Sequence, residues 1–174
     1  IQTAESVTEG HPDKLCDTIA DTVLDACLEH DPNAHVACEV LATAGKILVA
    51  GEITAKALPD IPAIVARTVH ETGYHADYEI EVITHDQSPN IAGAVARRGI
   101  FSDQRGAGDQ GSMYGYACSE TDELLPTPVI LAHRLTRLLT HARKTGTIRG
   151  LGPDGKAQVS VEYVLGLPRR VNNV

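Results

Sequence analysis

The sequence predicts an α/β fold of the α+β type, built from two-layer domains in which a mixed β-sheet is covered by helices. Three observations predict it. Residues 11–32 repeat apolar side chains at helical spacing, and residues 35–53 read as two β-rich runs about Ala44-Gly45. The 174-residue composition, 43% hydrophobic and 22% charged, is that of an ordinary globular chain.

The first element, HPDKLCDTIADTVLDACLEHDP, places Leu15, Cys16, Ile19, Ala20, Val23, Leu24, Cys27 and Leu28 on one stripe. Asp17, Asp21, Asp25 and Glu29 repeat every four residues on the other side and read as a solvated face. Pro12 suits a first helical turn, and Asp31-Pro32 ends the element. In the next element, a loop of two or four residues at Ala44-Gly45 sets position 39 opposite position 50. Glu39 and Glu52 then share one face on adjacent rungs, whereas a three-residue loop separates them.

Residues 60–72 form a second amphipathic helix with Asp60 as N-cap and Gly73 just past its end. YEIEVITH (78–85) alternates as a strand. Residues 87–111 have no sustained period, and a connection of that length inside a domain is usually functional or disordered. A third helix covers 129–146, with Arg143 and Lys144 placed to suit the helix dipole and Gly146 at its end. Residues 150–156 form a turn, and AQVSVEYV with the run reaching VNNV begins a hairpin. A strand pattern at the end of the chain predicts that more sequence follows.

Bulk properties exclude several function classes. A net charge of −8 and a pI near 5.4 argue against nucleic-acid binding, which needs a basic patch. No apolar run approaches the roughly 20 residues that cross a bilayer. The N-terminal residues lack the basic and apolar regions of a signal peptide. Cys16, Cys27, Cys38 and Cys118 form no C-x-x-C pair, so they are expected to be reduced core residues of a cytoplasmic protein.

Four clusters suit chemistry. EGHPDK (9–14) opens the first helix, where unpaired N–H groups and a partial positive charge favour an anion. His11, Asp13 and Lys14 add a hydrogen-bonding ring, a carboxylate able to hold Mg²⁺ and a cation. A plain cap and a dipole-favoured Asp13 explain the same residues. Glu39 and Glu52 lie in strands among small or apolar neighbours, where a charge either faces solvent or meets a cation. GPDGKAQV (152–159) sets Asp154 and Lys156 in a Gly-flanked turn suited to phosphate, or serving only as a turn. Finally, GAGDQGSMYGY (106–116) surrounds Asp109-Gln110 with glycines, which either let a ligand approach the backbone or form only a flexible surface turn. No P-loop and no nucleophilic triad is present in the sequence.

Taken in order, ESVTEGHPDK, ACE, GEI, QSPNI, GAGDQGSMYGYA and PDGKAQV resemble the N-terminal part of the S-adenosylmethionine synthetase (methionine adenosyltransferase) family. The resemblance spans nearly the whole chain, and it implies that family's fold. It implies an N-terminal domain over 1–98, ending in a gating loop, and a central domain over 106–174 that is incomplete at its C-terminus. The implied reaction joins ATP and L-methionine into S-adenosylmethionine and then hydrolyses the released triphosphate to pyrophosphate and phosphate.

Carried over by motif, the catalytic residues are His11 and Asp109. His11, Lys14, Asp154, Gly155 and Lys156 bind ATP, while Glu52, Gln87 and Asp109 bind methionine. Asp13 holds Mg²⁺ and Glu39 belongs to a K⁺ site. A homodimer, or a dimer of dimers, with the site at the subunit interface is implied as well. The chain departs from the family in three ways. It is about half as long and lacks a second Gly-rich signature, the segment before Gln87 is short, and Asn90 stands where Asp is common. An inactive N-terminal fragment, or a non-catalytic nucleotide-binding or dimerising subunit, is the alternative reading. A metal-dependent phosphohydrolase ranks below it.

Overall fold

The computed structural model describes residues 1–89 and 112–174. Its elements are β1 (Gln2–Val7), α1 (Pro12–His30), β2 (His35–Thr43), β3 (Lys46–Thr54), α2 (Ile61–Thr72), β4 (Glu79–His85), α3 (Thr127–Lys144), β5 (Lys156–Val164) and β6 (Leu167–Asn173). They form two three-stranded sheets, ordered β2-β3-β4 and β1-β5-β6. The mixed α/β content and paired small sheets match the fold class that the sequence predicts.

The chain folds into two compact units that interleave along the sequence. One contains 1–18, 67–77 and 115–174, and the other contains 19–66 and 78–114. In the second of these, β2 and β3 pair antiparallel across a two-residue loop, and β4 joins β3 in parallel. The alternation is clean, with Ile47, Val49 and Ile53 buried on one face of β3. Ile19, Val23 and Cys27 of α1 and Ile61, Ile64 and Val65 of α2 complete the buried apolar set of this unit.

The other unit is an antiparallel sheet carrying α3. Ala132 of α3 and Val159 and Val161 of β5 form its core, with Leu131, Leu135 and Tyr163 packed around them. Glu120 fixes the start of α3, because its Oε2 accepts the Thr127 N–H at 2.9 Å and the Tyr163 hydroxyl at 2.6 Å. Burial and that carboxylate push the Tyr163 phenol up to about 12.

Several boundaries follow the sequence. Asp60 caps α2, its Oδ1 accepting the Ala63 N–H at 3.1 Å. Gly73 takes φ +108 just past that helix, and Gly146 takes φ +69 past α3. Other expectations change. β1 has no counterpart among the predicted elements, since six residues of QTAESV carry too few strong β-formers to register as a strand. α3 begins at Thr127, because Pro128 is tolerated within a first turn whose N–H groups have no helical partner.

The cysteines also need correction. All four are free, but only Cys27 is buried, while Cys16, Cys38 and Cys118 are half-buried. Likewise the buried stripe of α1 narrows to Leu15, Ile19, Val23 and Cys27, leaving Leu28 exposed. A strict four-residue repeat keeps one line of a helix facing inward, and flanking positions turn towards solvent.

Candidate active site

The antiparallel pairing of β1 with β5 sets the exit of β1 beside the entry of β5, with Val7 opposite Lys156. EGHPDK leaves β1 at that end, and GPDGK enters β5 there, so one edge of the sheet gathers both motifs. The join is close. The Thr8 N–H donates to the Gly155 carbonyl at 2.9 Å, and the Thr8 hydroxyl to the Pro153 carbonyl at 2.7 Å. The Gly10 N–H donates to the same Pro153 carbonyl at 3.2 Å. A Cβ on Gly10 would lie 2.4 Å from the Pro153 carbonyl carbon, so only glycine fits this crossing.

His11 sits at the cap of α1, and its Nδ1 accepts the Asp13 N–H at 3.3 Å. With Nδ1 accepting, the neutral ring carries its proton on Nε2, which leaves that nitrogen as a hydrogen-bond donor. The Asp13 carboxylate is 91% exposed and 3.8 Å from His11 Nδ1. Lys14 lines a cavity of about 330 Å³ together with Thr8, Glu9, Thr136, Arg137 and Thr140. Asp154, Gly155 and Lys156 line a smaller one of about 100 Å³ with Arg143, and Thr8 and Thr140 border both. His11, Asp13, Lys14, Asp154, Gly155 and Lys156 thus occupy one neighbourhood of cations, hydroxyls and backbone amides.

Glu39, Glu52 and Gln87 lie in the other unit. The two-residue hairpin loop sets Glu39 opposite Ala50, so Glu39 and Glu52 share the face of β3 opposite its buried side chains. Glu39 is exposed, and the half-buried Glu52 carboxylate lies 4.0 Å from the His85 ring, its parallel partner on β4. The Gln87 N–H donates to the Thr54 hydroxyl at 3.0 Å, bringing Gln87 to the same strand end as Glu52. Asp109 lies outside the described residues, as do Asn90 and the glycines of 106–111.

No group of three metal-ligating side chains occurs among the described residues. Asp13 is an exposed carboxylate in the first turn of α1, beside His11. That donor set fits Mg²⁺ that arrives bound to phosphate oxygens, since Mg²⁺ commonly takes one or two carboxylates and leaves the rest to water and phosphate. No helix among the described residues is long and apolar enough to cross a membrane.

Sequence reasoning gives Thr8, Glu9, Tyr74 and Arg143 no part of their own in the site. Each acts through a long-range contact, and only the alternation of QTAESV would have hinted at the strand that delivers the first two.

Comparison with known proteins agrees with this geometry. The family model described as S-adenosylmethionine synthetase, N-terminal domain, matches residues 1–95, and that of the central domain matches residues 104–174. The chain is 51% identical to the S-adenosylmethionine synthase of Solidesulfovibrio magneticus over 98% of its own length and 46% of that protein's. Those of Oleidesulfovibrio alaskensis and Nitratidesulfovibrio vulgaris are 49% and 48% identical over 99% of this chain, again covering 46% of each relative. The chain therefore spans about half the length of the curated relatives it matches. With both of its halves matched by the same family, this chain belongs to the S-adenosylmethionine synthetases.

Proposed function

We propose that the protein carrying this chain makes S-adenosylmethionine from ATP and L-methionine and hydrolyses the released triphosphate to pyrophosphate and phosphate. The observation that carries the reading is the bracing of EGHPDK against GPDGK. It collects a ring N–H, two lysines and Gly155 at one sheet end, where a polyphosphate needs them. In the first step the methionine sulfur attacks C5′ of the ribose and the C5′–O bond breaks, so negative charge builds on the departing triphosphate. His11 Nε2–H, Lys14 and Lys156 stabilise that charge without forming a covalent intermediate. In the second step water attacks a phosphorus of the triphosphate held by the same groups.

Glu52 and Gln87 offer a carboxylate and a carboxamide, a pair suited to the ammonium and carboxylate of an amino acid. Asp109 joins them against the substrate. Asp13 would hold Mg²⁺ and Glu39 a K⁺ ion, and such cations supply neutralisation of charge on the phosphates. The domains run over 1–98 and 106–174, the working form is a homodimer or dimer of dimers with a shared site, and the protein is cytoplasmic.

The alternative reading is an inactive fragment or a non-catalytic subunit that binds nucleotide or dimerises. Incubation with ATP, methionine, Mg²⁺ and K⁺ decides between them. S-adenosylmethionine with stoichiometric pyrophosphate and phosphate upholds the synthetase. ATP binding without product upholds the subunit, and triphosphate hydrolysis with no alkyl transfer to methionine points to a phosphohydrolase.

A further inference from the structure

The last turn of α3 carries Arg143 and Lys144, which the sequence assigns only to the helix dipole. We infer that Arg143 is a positioning residue that holds residues 8–14 through Glu9, and so sets where His11, Asp13 and Lys14 act. The kinetic part of this inference rests on the synthetase reading.

Arg143 Nη2 donates to Glu9 Oε1 at 2.5 Å and to the Thr72 carbonyl at the end of α2 at 3.0 Å. Lys144 Nζ donates to Glu9 Oε2 at 2.8 Å, so both carboxylate oxygens are held. The Arg143 side chain is only 16% exposed. Its Nε is buried with no hydrogen-bond partner among the described residues. A guanidinium kept there despite an unsatisfied donor is held by what its terminal nitrogens reach. Gly73 makes the room, because a Cβ at that residue would lie 2.4 Å from Arg143 Nη1. One residue further on, the Tyr74 hydroxyl donates to the Gly10 carbonyl at 2.6 Å. The ends of α2 and α3 thus converge on Glu9-Gly10, directly before the three substrate-facing residues.

The clamp also has an electrostatic effect. Glu9 lines the same cavity as Lys14. Pairing with Arg143 and Lys144 cancels its charge, so it neither captures Lys14 nor repels an anionic substrate. Both bonds leave the single Nη2 at the end of a rigid planar guanidinium, whereas a lysine ammonium is a shorter-reaching point charge on a flexible stem.

The test uses the intact protein with Arg143→Lys and, separately, Glu9→Gln. It reads amide hydrogen exchange across residues 8–14 together with kcat and KM for ATP and methionine. The expected result for Arg143→Lys is at least tenfold faster exchange at Gly10 and His11, with β5 unchanged. With it comes at least a tenfold fall in kcat, while KM for methionine stays within threefold. Exchange and kcat both within twofold of the parent overturn the inference. So does a loss of kcat that only follows a fall in melting temperature. If the parent protein makes no product, the synthetase reading fails by itself, and exchange confined to 8–14 still decides the positioning role. If Arg143→Lys does not fold, Glu9→Gln, which keeps the arginine, is judged by the same criteria.

Discussion

Gly10 and Pro153 stand 143 positions apart in the chain, yet the Gly10 N–H donates to the Pro153 carbonyl at 3.2 Å. A Cβ at Gly10 would lie 2.5 Å from that oxygen, so the backbones cross where no side chain fits. Gly10→Ala must force them apart, and overpacking of this kind costs about 1–3 kcal/mol. Chemical unfolding should show a loss in that range, with faster exchange at Thr8, whose N–H bonds to Gly155. Parent-like stability would mean that the two motifs are not braced as described.

The charged residues at this end should separate binding from folding. Asp13 is 91% exposed, so Asp13→Ala should leave the melting temperature nearly unchanged while abolishing Mg²⁺-dependent turnover. Lys156→Ala removes a charge-assisted contact of about 1.5–3 kcal/mol, and KM for ATP should rise about tenfold or more. Steady-state kinetics at varied Mg²⁺ and ATP check both. Normal turnover by Asp13→Ala at ordinary Mg²⁺ would remove Asp13 from the metal assignment.

Asp31 supplies a test with pH. The Asn33 N–H donates to its Oδ1 at 3.1 Å and the Lys56 N–H to its Oδ2 at 3.2 Å. Those bonds, the one from Asn33 first, hold its carboxyl below the usual value of 3.8. A lowered folded-state value stabilises the native form above the usual carboxylate range, and the benefit fades as pH falls through the lowered value. Asp31→Asn should therefore be less stable than the parent at neutral pH and should lose less stability on acidification. Urea midpoints measured from neutral pH into the acid range give the comparison, and parallel curves would contradict it.

The β5–β6 hairpin turns through Leu165 and Gly166 at φ +52 and +79, the positive pair that a type I′ turn requires. Leu165 is a branched residue at 96% exposure with no packing to compensate its strain. Leu165→Asn should stabilise the fold by about 0.5–1 kcal/mol, as Asn tolerates that conformation far better. A higher midpoint in denaturant is the expected outcome.

Gly51 gives the opposite case inside β3. It takes φ +147, and a Cβ there would sit 2.0 Å from the Ala37 carbonyl oxygen. Gly51→Ala should cost about 3 kcal/mol or more, because neither strand can move without breaking the ladder. It should also disturb Glu52, so loss of methionine binding is expected before loss of ATP binding.

Local chemistry by itself determined much of this protein. The apolar stripe of α1, the Asp60 cap, the hairpin at Ala44-Gly45 and the family motifs are all set by neighbours in the chain, whereas the loop length that puts Glu39 and Glu52 on one face came from the fold. Periodicity, capping and turn preference act over a few residues, so they can be read in order. Tertiary structure alone decided which motifs meet. The weak strand QTAESV finds its partner 149 or more residues away, and that pairing carries EGHPDK to GPDGK. The jobs of Glu9, Tyr74 and Arg143 follow from it. A side chain whose only decisive neighbour is distant in sequence leaves no periodic trace, because loop closure and core burial choose that neighbour.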